Sequence, residues 1–450
     1  MEGSQVGTVP AGRHSAAARL DRLPIGRFHK QVMWLLAYVF FFELGDLNTF
    51  AFAAPEIRVA WNLSIATIGF VTSGAFLGMF VGATFGGWFS DRVGRKRGLI
   101  LSTVWYSGFS LLNALVWNTT GLFLTRMLTG MGLSAMTVVG ITYISEIFPA
   151  KRRGTFQGWI MTIGLFGIPI TAHVAHFLIP WTTYGWRLVF VWGSLGMFFL
   201  FFSPLLEESP RWYENQGRLA EADAVLERIE RRVKAEYGEL PPVPDVVSVT
   251  PTRGKFGELF APAVRSRTIM LLAAWVCQTM AAYGFLAWVP TLLAARGFPI
   301  VKSLLWTSMM HFGAPLGALL AALISDRWQR KWWITLVCLV VASCGLMYGT
   351  SLKTWSIITF GFGVSMFIQT FVPLLYAYTP ECYPTMIRNT GSGLNYGVGR
   401  LANVVGPMLV AFLFTHYGYL SVFIYIGALW VAVALVIGIF GPNTRGRILT

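Results

Sequence analysis

From Gln31 onward the chain returns repeatedly to runs of about 18 to 25 mostly apolar residues, which begin near Gln31, Ile65, Leu99, Thr120, Gly154, Gly185, Thr268, Ser303, Trp332, Thr354, Asn389 and Gly418. Such runs leave few folds open, because backbone polar groups inside lipid must be satisfied by the chain itself, as in helices and closed barrels. The runs lack the alternation of apolar and polar residues that marks a barrel strand. The expected fold class is therefore an all-α membrane protein with twelve transmembrane helices. Only 12% of residues are charged, about half the roughly 25% of a soluble domain.

The formal charge of +15 would point to nucleic acid in a soluble protein, but here it reports topology. Of the 35 Lys and Arg, 28 fall on one side of the span map, five on the other and two inside spans. By the positive-inside rule the basic side is cytoplasmic, with both termini inside. No nucleic-acid partner is expected. The first apolar run is long enough to span, so no cleavable leader is read in it. Cys277, Cys338, Cys344 and Cys382 show no metal-ligand spacing and read as small core residues.

The domain division follows from the polar stretches: a mobile cytoplasmic tail over 1–30, a six-helix bundle over 31–206, a cytoplasmic linker with short helices over 207–267, a second six-helix bundle over 268–441 and a tail over 442–450. The two halves repeat. SDRVGRK at Ser90 to Lys96 returns as SDRWQRK at Ser325 to Lys331, and Glu146, Pro149 and Arg153 match Glu381, Pro384 and Arg388, all at one offset of 235 residues. Two bundles of six built from parallel repeats are the layout of alternating-access carriers.

At this point the sequence resembles a known family. GATFGGWFSDRVGRK, from Gly82 to Lys96, is similar to the loop 2–3 signature of the major facilitator superfamily, and Arg126-x-x-x-Gly130-x-Gly132 resembles its span-4 pattern. EESPRW at Glu207 to Trp212 and PNTRGR at Pro442 to Arg447 resemble marks of sugar porters and their relatives. The stretch from Tyr378 to Pro407 is similar to the aromatic-acid, niacin-type and organic-ion carriers, whereas the Asn-Trp pair usual in sugar porters is replaced by Gly399 and Arg400. The resemblance implies a 6+6 pseudo-twofold fold and small-molecule transport.

Of 20 Asp and Glu, only Glu43 and Asp46 lie well inside a span, and only Arg126 and Arg400 do so among the cations. An ionised side chain at bilayer depth costs roughly 2.5 to 3.5 kcal/mol, so these four must be paired, protonated or facing water. Glu43 and Asp46 lie three residues apart and share a helix face. Arg126 reaches a similar depth from the other side. In the carriers resembled, such an acid and arginine couple proton binding to the conformational cycle; the alternative is a permanent tie between two helices. Glu43 is the second proton candidate.

Arg400 sits about twelve residues into its helix, or roughly 18 Å at 1.5 Å per residue, near mid-membrane. Its planar guanidinium suits a carboxylate, and in the organic-anion carriers resembled an arginine at this place engages the substrate. An intramolecular pair with Glu43 or Asp46 is the alternative. Asn403 shares the face of Arg400 better than Asn395, with Tyr396 nearby. Tyr283, Trp288, Phe371 and Tyr376 offer flat walls for an aromatic ligand, and Gln278 and Gln369 offer hydrogen bonds. His311 is a polar lining candidate, while His173 and His176 lack a neighbouring acid and read against a metal site.

Asp91, Arg92, Gly94, Arg95, Lys96, Glu146 and Arg153, with Asp326, Arg327, Glu381 and Arg388 in the second half, are expected to form a cytoplasmic gate, Asp91 capping the next helix start. Gln329 replaces the glycine in the second copy. No phosphate loop, nucleophile elbow or zinc signature appears, so no enzyme activity and no cofactor are expected. The expected function is proton-coupled uptake of a small, aromatic organic acid, nicotinate- or benzoate-like. The rivals are a sugar or polyol symporter, an organic-cation carrier, an exporter, and a substrate-sensing receptor. The expected partners are substrate, protons and lipid, for a monomer in a bacterial cytoplasmic membrane.

Overall fold

The computed structural model describes residues 14–244, 256–262, 264–325, 327–384 and 386–444. Asp326, Arg445, Arg447 and most of the extended half of the linker lie outside them. A short helix, α1 (Ala16–Asp21), precedes the spans. The N-terminal bundle is α2 (Arg27–Ala60), α3 (Ile65–Val93), α4 (Arg95–Asn113), α5 (Thr119–Ile147), α6 (Ala150–Leu165) with α7 (Gly167–Leu178), and α8 (Gly185–Ser194) with α9 (Phe199–Phe202). Two linker helices follow, α10 (Pro210–Asn215) and α11 (Leu219–Tyr237). The C-terminal bundle is α12 (Arg265–Leu286) with α13 (Val289–Ala295), α14 (Ile300–His311) with α15 (Gly313–Ile324), α16 (Arg330–Thr350), α17 (Thr354–Glu381), α18 (Arg388–Tyr417) and α19 (Tyr419–Phe440).

Twelve crossings result, in two bundles of six. Eleven of them are long and apolar enough to span by composition among the described residues. The remaining one, α4, starts on Arg95, Lys96 and Arg97 and turns Ser102, Thr103, Ser107, Ser110 and Asn113 into the bundle. Two Asn-x-Ser/Thr triplets, Asn62 to Ser64 and Asn118 to Thr120, lie where helices begin: the Ser64 hydroxyl accepts from Thr67 N at 3.1 Å and Asn118 Oδ1 from Gly121 N at 2.6 Å, capping α3 and α5.

Four crossings are broken, which apolar periodicity did not foretell: one passes through a 3-10 turn, Leu195–Phe198, between α8 and α9, and three break at a proline. A proline cannot donate to the carbonyl four residues back, and its ring crowds that carbonyl. Pro169, Pro290 and Pro315 have Leu165, Leu286 and His311 four residues before them, and those are the last residues of α6, α12 and α14.

The repeat of 235 residues is structural. Gly78 and Gly82 of α3 lie against the carbonyls of Met127 and Met131, and Gly313 and Gly317 lie against those of Phe362 and Met366. A Cβ at any of the four would strike backbone. Tyr143 donates to Glu207 O at 2.7 Å, and its counterpart Tyr378 donates to Pro442 O at 2.8 Å.

The reading of residues 1–30 as a mobile tail is corrected from residue 14 onward. Ala16, Leu20 and Leu23 are buried in the core formed with Val225, Leu226, Ile229 and Val233 of α11. Arg19 contacts Glu230 at 2.7 Å and Asp223 at 2.9 Å, and Arg22 contacts Glu230 at 2.8 Å. Asp21 Oδ1 accepts from Ala150 N at 2.9 Å. A small-residue apolar face complementary to α11 thus docks a segment too short for a span signal.

The halves meet mainly at the end of the molecule away from the termini. There one apolar core joins Phe50 to Ile57 of α2 and Ile168 to Ala175 of α7 with the C-terminal bundle, whereas the core around Phe40, Leu133 and Ile144 belongs to the N-terminal half and its linker helices. Ser308 donates to Pro169 O at 2.9 Å, His176 Nδ1 lies 2.8 Å from Val301 O, and the Phe52 and His311 rings are 6.1 Å apart. Towards the terminal face the halves part around Arg400 and Tyr376.

Candidate functional site

The four in-span charges stand as two acid and cation sets. Asp46 is fully buried, with Oδ1 accepting from Ser110 of α4 at 2.5 Å, and Gly193 leaves the space its carboxylate occupies. Arg126 is also buried, yet no direct ion pair joins it to Asp46 among the described residues. Thr49 lies between them: its hydroxyl donates to Asp46 O at 2.7 Å, also stands 3.2 Å from Asp46 Oδ1, and accepts from Arg126 Nη1 at 3.4 Å. Arg126 Nη2 reaches Leu47 O at 3.4 Å, and Nε has no partner. The expected contact pair is therefore hydroxyl-bridged, because Ser110 and Thr49 hold the carboxylate towards α4.

Glu43 lies one turn towards the terminal face. Its Oε1 accepts from Thr137 of α5 at 2.7 Å, and its Oε2 has no partner. Arg400 lies within electrostatic reach of Glu43 across the gap between the halves, and of Tyr283 and Tyr376 within its own half. Among the described residues the half-buried Arg400 forms no hydrogen bond or ion pair. The alternative of a closed intramolecular pair with Glu43 or Asp46 is not what this conformation holds.

Three aromatic rings gather beside that guanidinium. Tyr396, one turn before Arg400, lies 4.4 Å from Trp275 and 4.3 Å edge-on from Tyr376, with Trp275 and Tyr376 5.0 Å apart. Trp275 is anchored by its Nε1 donating to Thr379 at 3.0 Å, and Tyr376 keeps 38% of its surface exposed. Trp275 was not anticipated; one tryptophan among 18 carries no sequence mark of its neighbours. The same holds for Thr49, Ser110 and Thr137.

The other expected wall residues divide by depth. Tyr283 packs edge-on against Phe76 at 4.9 Å across the seam. Trp288 is fully buried in the far core, and Phe371 is fully buried inside the C-terminal bundle against Trp430. Gln278 is buried, with Nε2 2.5 Å from the Thr279 hydroxyl, and stands at the repeat position of Glu43. Gln369 is half-buried. Asn403 and Asn395 are both buried with Oδ1 unpartnered, and Asn395 Nδ2 donates to Tyr383 Oη and Gly391 O. His311 is buried at the far seam, its Nδ1 3.3 Å from Ser365. His173 and His176 stack at 6.2 Å, and no metal-holding cluster occurs among the described residues.

On the terminal face Arg95 bridges Asp91 at 2.5 Å and Glu146 at 3.0 Å and reaches Ser90 at 3.1 Å. Ser209 of the linker also donates to Glu146, at 2.5 Å. The second copy repeats this cluster: Arg330 pairs with Glu381 and lies 3.5 Å from Ser325. Arg330 stands at the repeat position of Arg95, 235 residues on. The expectation that Asp91 caps α4 is corrected. Arg95 draws Asp91 away, and Glu208 Oε1 accepts from Lys96 N instead, at 2.8 Å. Arg92 lies 4.0 Å over the Trp88 ring. Arg153 and Arg388 are half-buried at this face, each with Nε unpartnered, and Arg327 is exposed. Gly94 turns at φ +102°; Gln329 at its repeat position has φ −63°, so the second loop turns without a left-handed residue.

The sequence matches the Major Facilitator Superfamily over residues 36–385 and again over 305–448. A metabolite transport protein of Bacillus subtilis (strain 168), YyaJ, is 45% identical over 96% of both chains. The niacin transporter NiaP of Acinetobacter baylyi is 31% identical, covering 96% of this chain and 98% of its own. Among solved structures, a D-xylose-proton symporter superposes with a TM-score of 0.75 at 19% identity, over 94% of this chain and 100% of its own. The Escherichia coli xylose transporter XylE, in a partially occluded inward-open conformation, gives 0.76 at 18% identity, with coverages of 94% and 100%.

Proposed function

The chain belongs to the Major Facilitator Superfamily, and within it we propose a proton-coupled carrier that takes up a small aromatic organic acid, nicotinate- or benzoate-like, by alternating access. The observation that carries this reading is Arg400: a mid-membrane guanidinium with no protein partner among the described residues, beside the rings of Trp275, Tyr376 and Tyr396. A carboxylate on the fork of Arg400 and a flat ring against the tyrosines would satisfy both. The likeness to a niacin transporter supports the same class.

Asp46 is the proposed proton carrier. Its Oδ2 is buried and unpartnered, a place where a proton resides, and Thr49 relays the charge state to Arg126. Protonation weakens the hold on Arg126 and shifts the balance between the two facing states. Glu43, opposite Arg400, is the second proton site. Asp91, Arg95 and Glu146, with Arg330 and Glu381, hold the terminal face of each half and are the proposed gate. We place both termini in the cytoplasm, by the distribution of Lys and Arg, and the monomer in a bacterial inner membrane.

The test is a thermal-shift panel of aromatic monocarboxylates, organic cations and sugars on purified protein, with Arg400→Ala alongside. Stabilisation by nicotinate or benzoate, weakened at least roughly tenfold in apparent affinity by the mutation, is expected, since a hydrogen bond to a charged group is worth about 1.5–3 kcal/mol. Stabilisation by a sugar or a cation, undiminished in Arg400→Ala, overturns it. Flux in reconstituted vesicles then separates carrier from receptor and uptake from export.

A further inference from the structure

Beyond the Phe76 and Tyr283 contact, on the side away from the termini, a small cavity lies enclosed between the halves, lined by Asn48, Phe50, Thr72, Phe76, Arg126 and Tyr283. Arg126 is its one charged lining residue, 2% exposed. The guanidinium is poorly satisfied among the described residues: Nε has no partner there, both Nη atoms stand 3.4 Å from neutral oxygens, at the long limit of hydrogen bonding, and no carboxylate of the described residues is within ion-pair distance. Ser110 and Thr49 keep Asp46 turned the other way. A buried cation left in this condition is costly unless a counter-charge arrives.

Resting on the organic-acid reading above, we propose that this cavity is the collapsed form of a second anion station, in which Arg126 holds the substrate carboxylate when the molecule is open away from its termini, before Arg400 receives it. The cavity walls come from both halves, so opening that side parts Asn48 and Thr72 from Tyr283 and turns Arg126 to solvent. Tyr283 belongs to both places, lining this cavity and lying within electrostatic reach of Arg400. With Phe76 it forms the partition that a ring must pass. Carboxylate on Arg126 also offsets the cation whose charge Asp46 feels through Thr49, which favours a proton on Asp46 at the moment substrate arrives. Substrate and proton would then load together without any contact between them.

The experiment is cysteine labelling from outside intact cells, with Thr72→Cys and, as a second variant, Asn48→Cys, measured against the unsubstituted chain. An anionic sulfonatoethyl and a cationic trimethylammonium-ethyl methanethiosulfonate are compared. The anionic reagent is expected to react roughly tenfold faster through local attraction. Arg126→Gln should remove that preference, and nicotinate or benzoate should slow labelling even when Arg400→Ala is also present. Equal rates, a cationic preference, or no labelling at either cysteine overturns the station. If the acids stabilise the purified protein yet leave labelling unslowed, the station fails and the substrate reading stands. If they do neither, both fall.

Discussion

Thr49 gives the coupling site a single-atom test. Its hydroxyl is the only side-chain link between Asp46 and Arg126 among the described residues. Thr49→Val keeps the shape and removes the relay. If the proposed coupling holds, proton-driven uptake is expected to fall about tenfold or more, as is also expected of Asp46→Asn, while the acid still stabilises the purified protein. An unchanged rate would assign the pair a purely structural role. Gly94 is a stability site of another kind. At φ +102°, with Glu208 where a Cβ would stand, Gly94→Ala is expected to cost about 1–3 kcal/mol, read as a lowered Tm. Gln329→Gly, at ordinary φ, should cost at most about 1 kcal/mol.

At the scale of elements, α1 is held to α11 by ion pairs outside the membrane. Burial pushes the Glu230 carboxyl up, but the bonds from Arg19 and Arg22 outweigh it, and the group lies below the usual carboxylate range. A depressed acid contributes its stability above the unfolded value of about 4.3 and loses it as pH falls through the folded one. Protection from hydrogen exchange over residues 16–22, taken relative to the intrinsic exchange rate at each pH, should therefore stay high from neutral pH down to about 5 and fall only below about 4. Arg19→Ala should lower it at neutral pH, by about 1 kcal/mol of local stability once solvent screening is allowed for. Quick exchange at neutral pH in the unmutated protein would contradict a docked α1.

The glycine faces belong to the same scale. Gly82→Leu and Gly317→Leu each drive a side chain into the carbonyl of Met131 or Met366. Both should separate their helix pair and abolish folded expression, whereas Gly158→Leu, with open space around it, should be tolerated.

For the whole molecule, alternating access requires the far seam to part. Ser308 of α14 and Pro169 of α7 are in hydrogen-bond contact across it. A short bifunctional thiol reagent joining Ser308→Cys to Pro169→Cys should block transport while leaving ligand-induced stabilisation intact, because Arg400 is reached from the terminal face. Persisting transport would mean that the seam does not open during the cycle. A monovalent acid moved with one proton carries no net charge. Uptake should then follow the pH gradient and respond little to voltage, which supplies about 2.3 kcal/mol per charge per 100 mV.

The sequence by itself determined the twelve crossings, the two bundles and the four charges at membrane depth. Each of these follows from a rule that acts along one chain: apolar length for a span, an offset of 235 for the repeat, the cost of a charge in lipid for the census. Ile65, Gly185 and Thr354 were even placed at the first residue of their helices. How side chains far apart in sequence meet follows from the packing alone. Thr49 and Ser110 turn Asp46 aside, Trp275 joins Tyr376 and Tyr396, Glu208 takes the cap that Asp91 was expected to fill, and α1 docks on α11. No local pattern encodes these contacts, because each depends on two helix faces and on the angle at which packing sets them. The parting of the halves towards the terminal face is likewise a property of the assembled bundles. It alone leaves Arg400 facing Glu43 across a gap rather than bound to it.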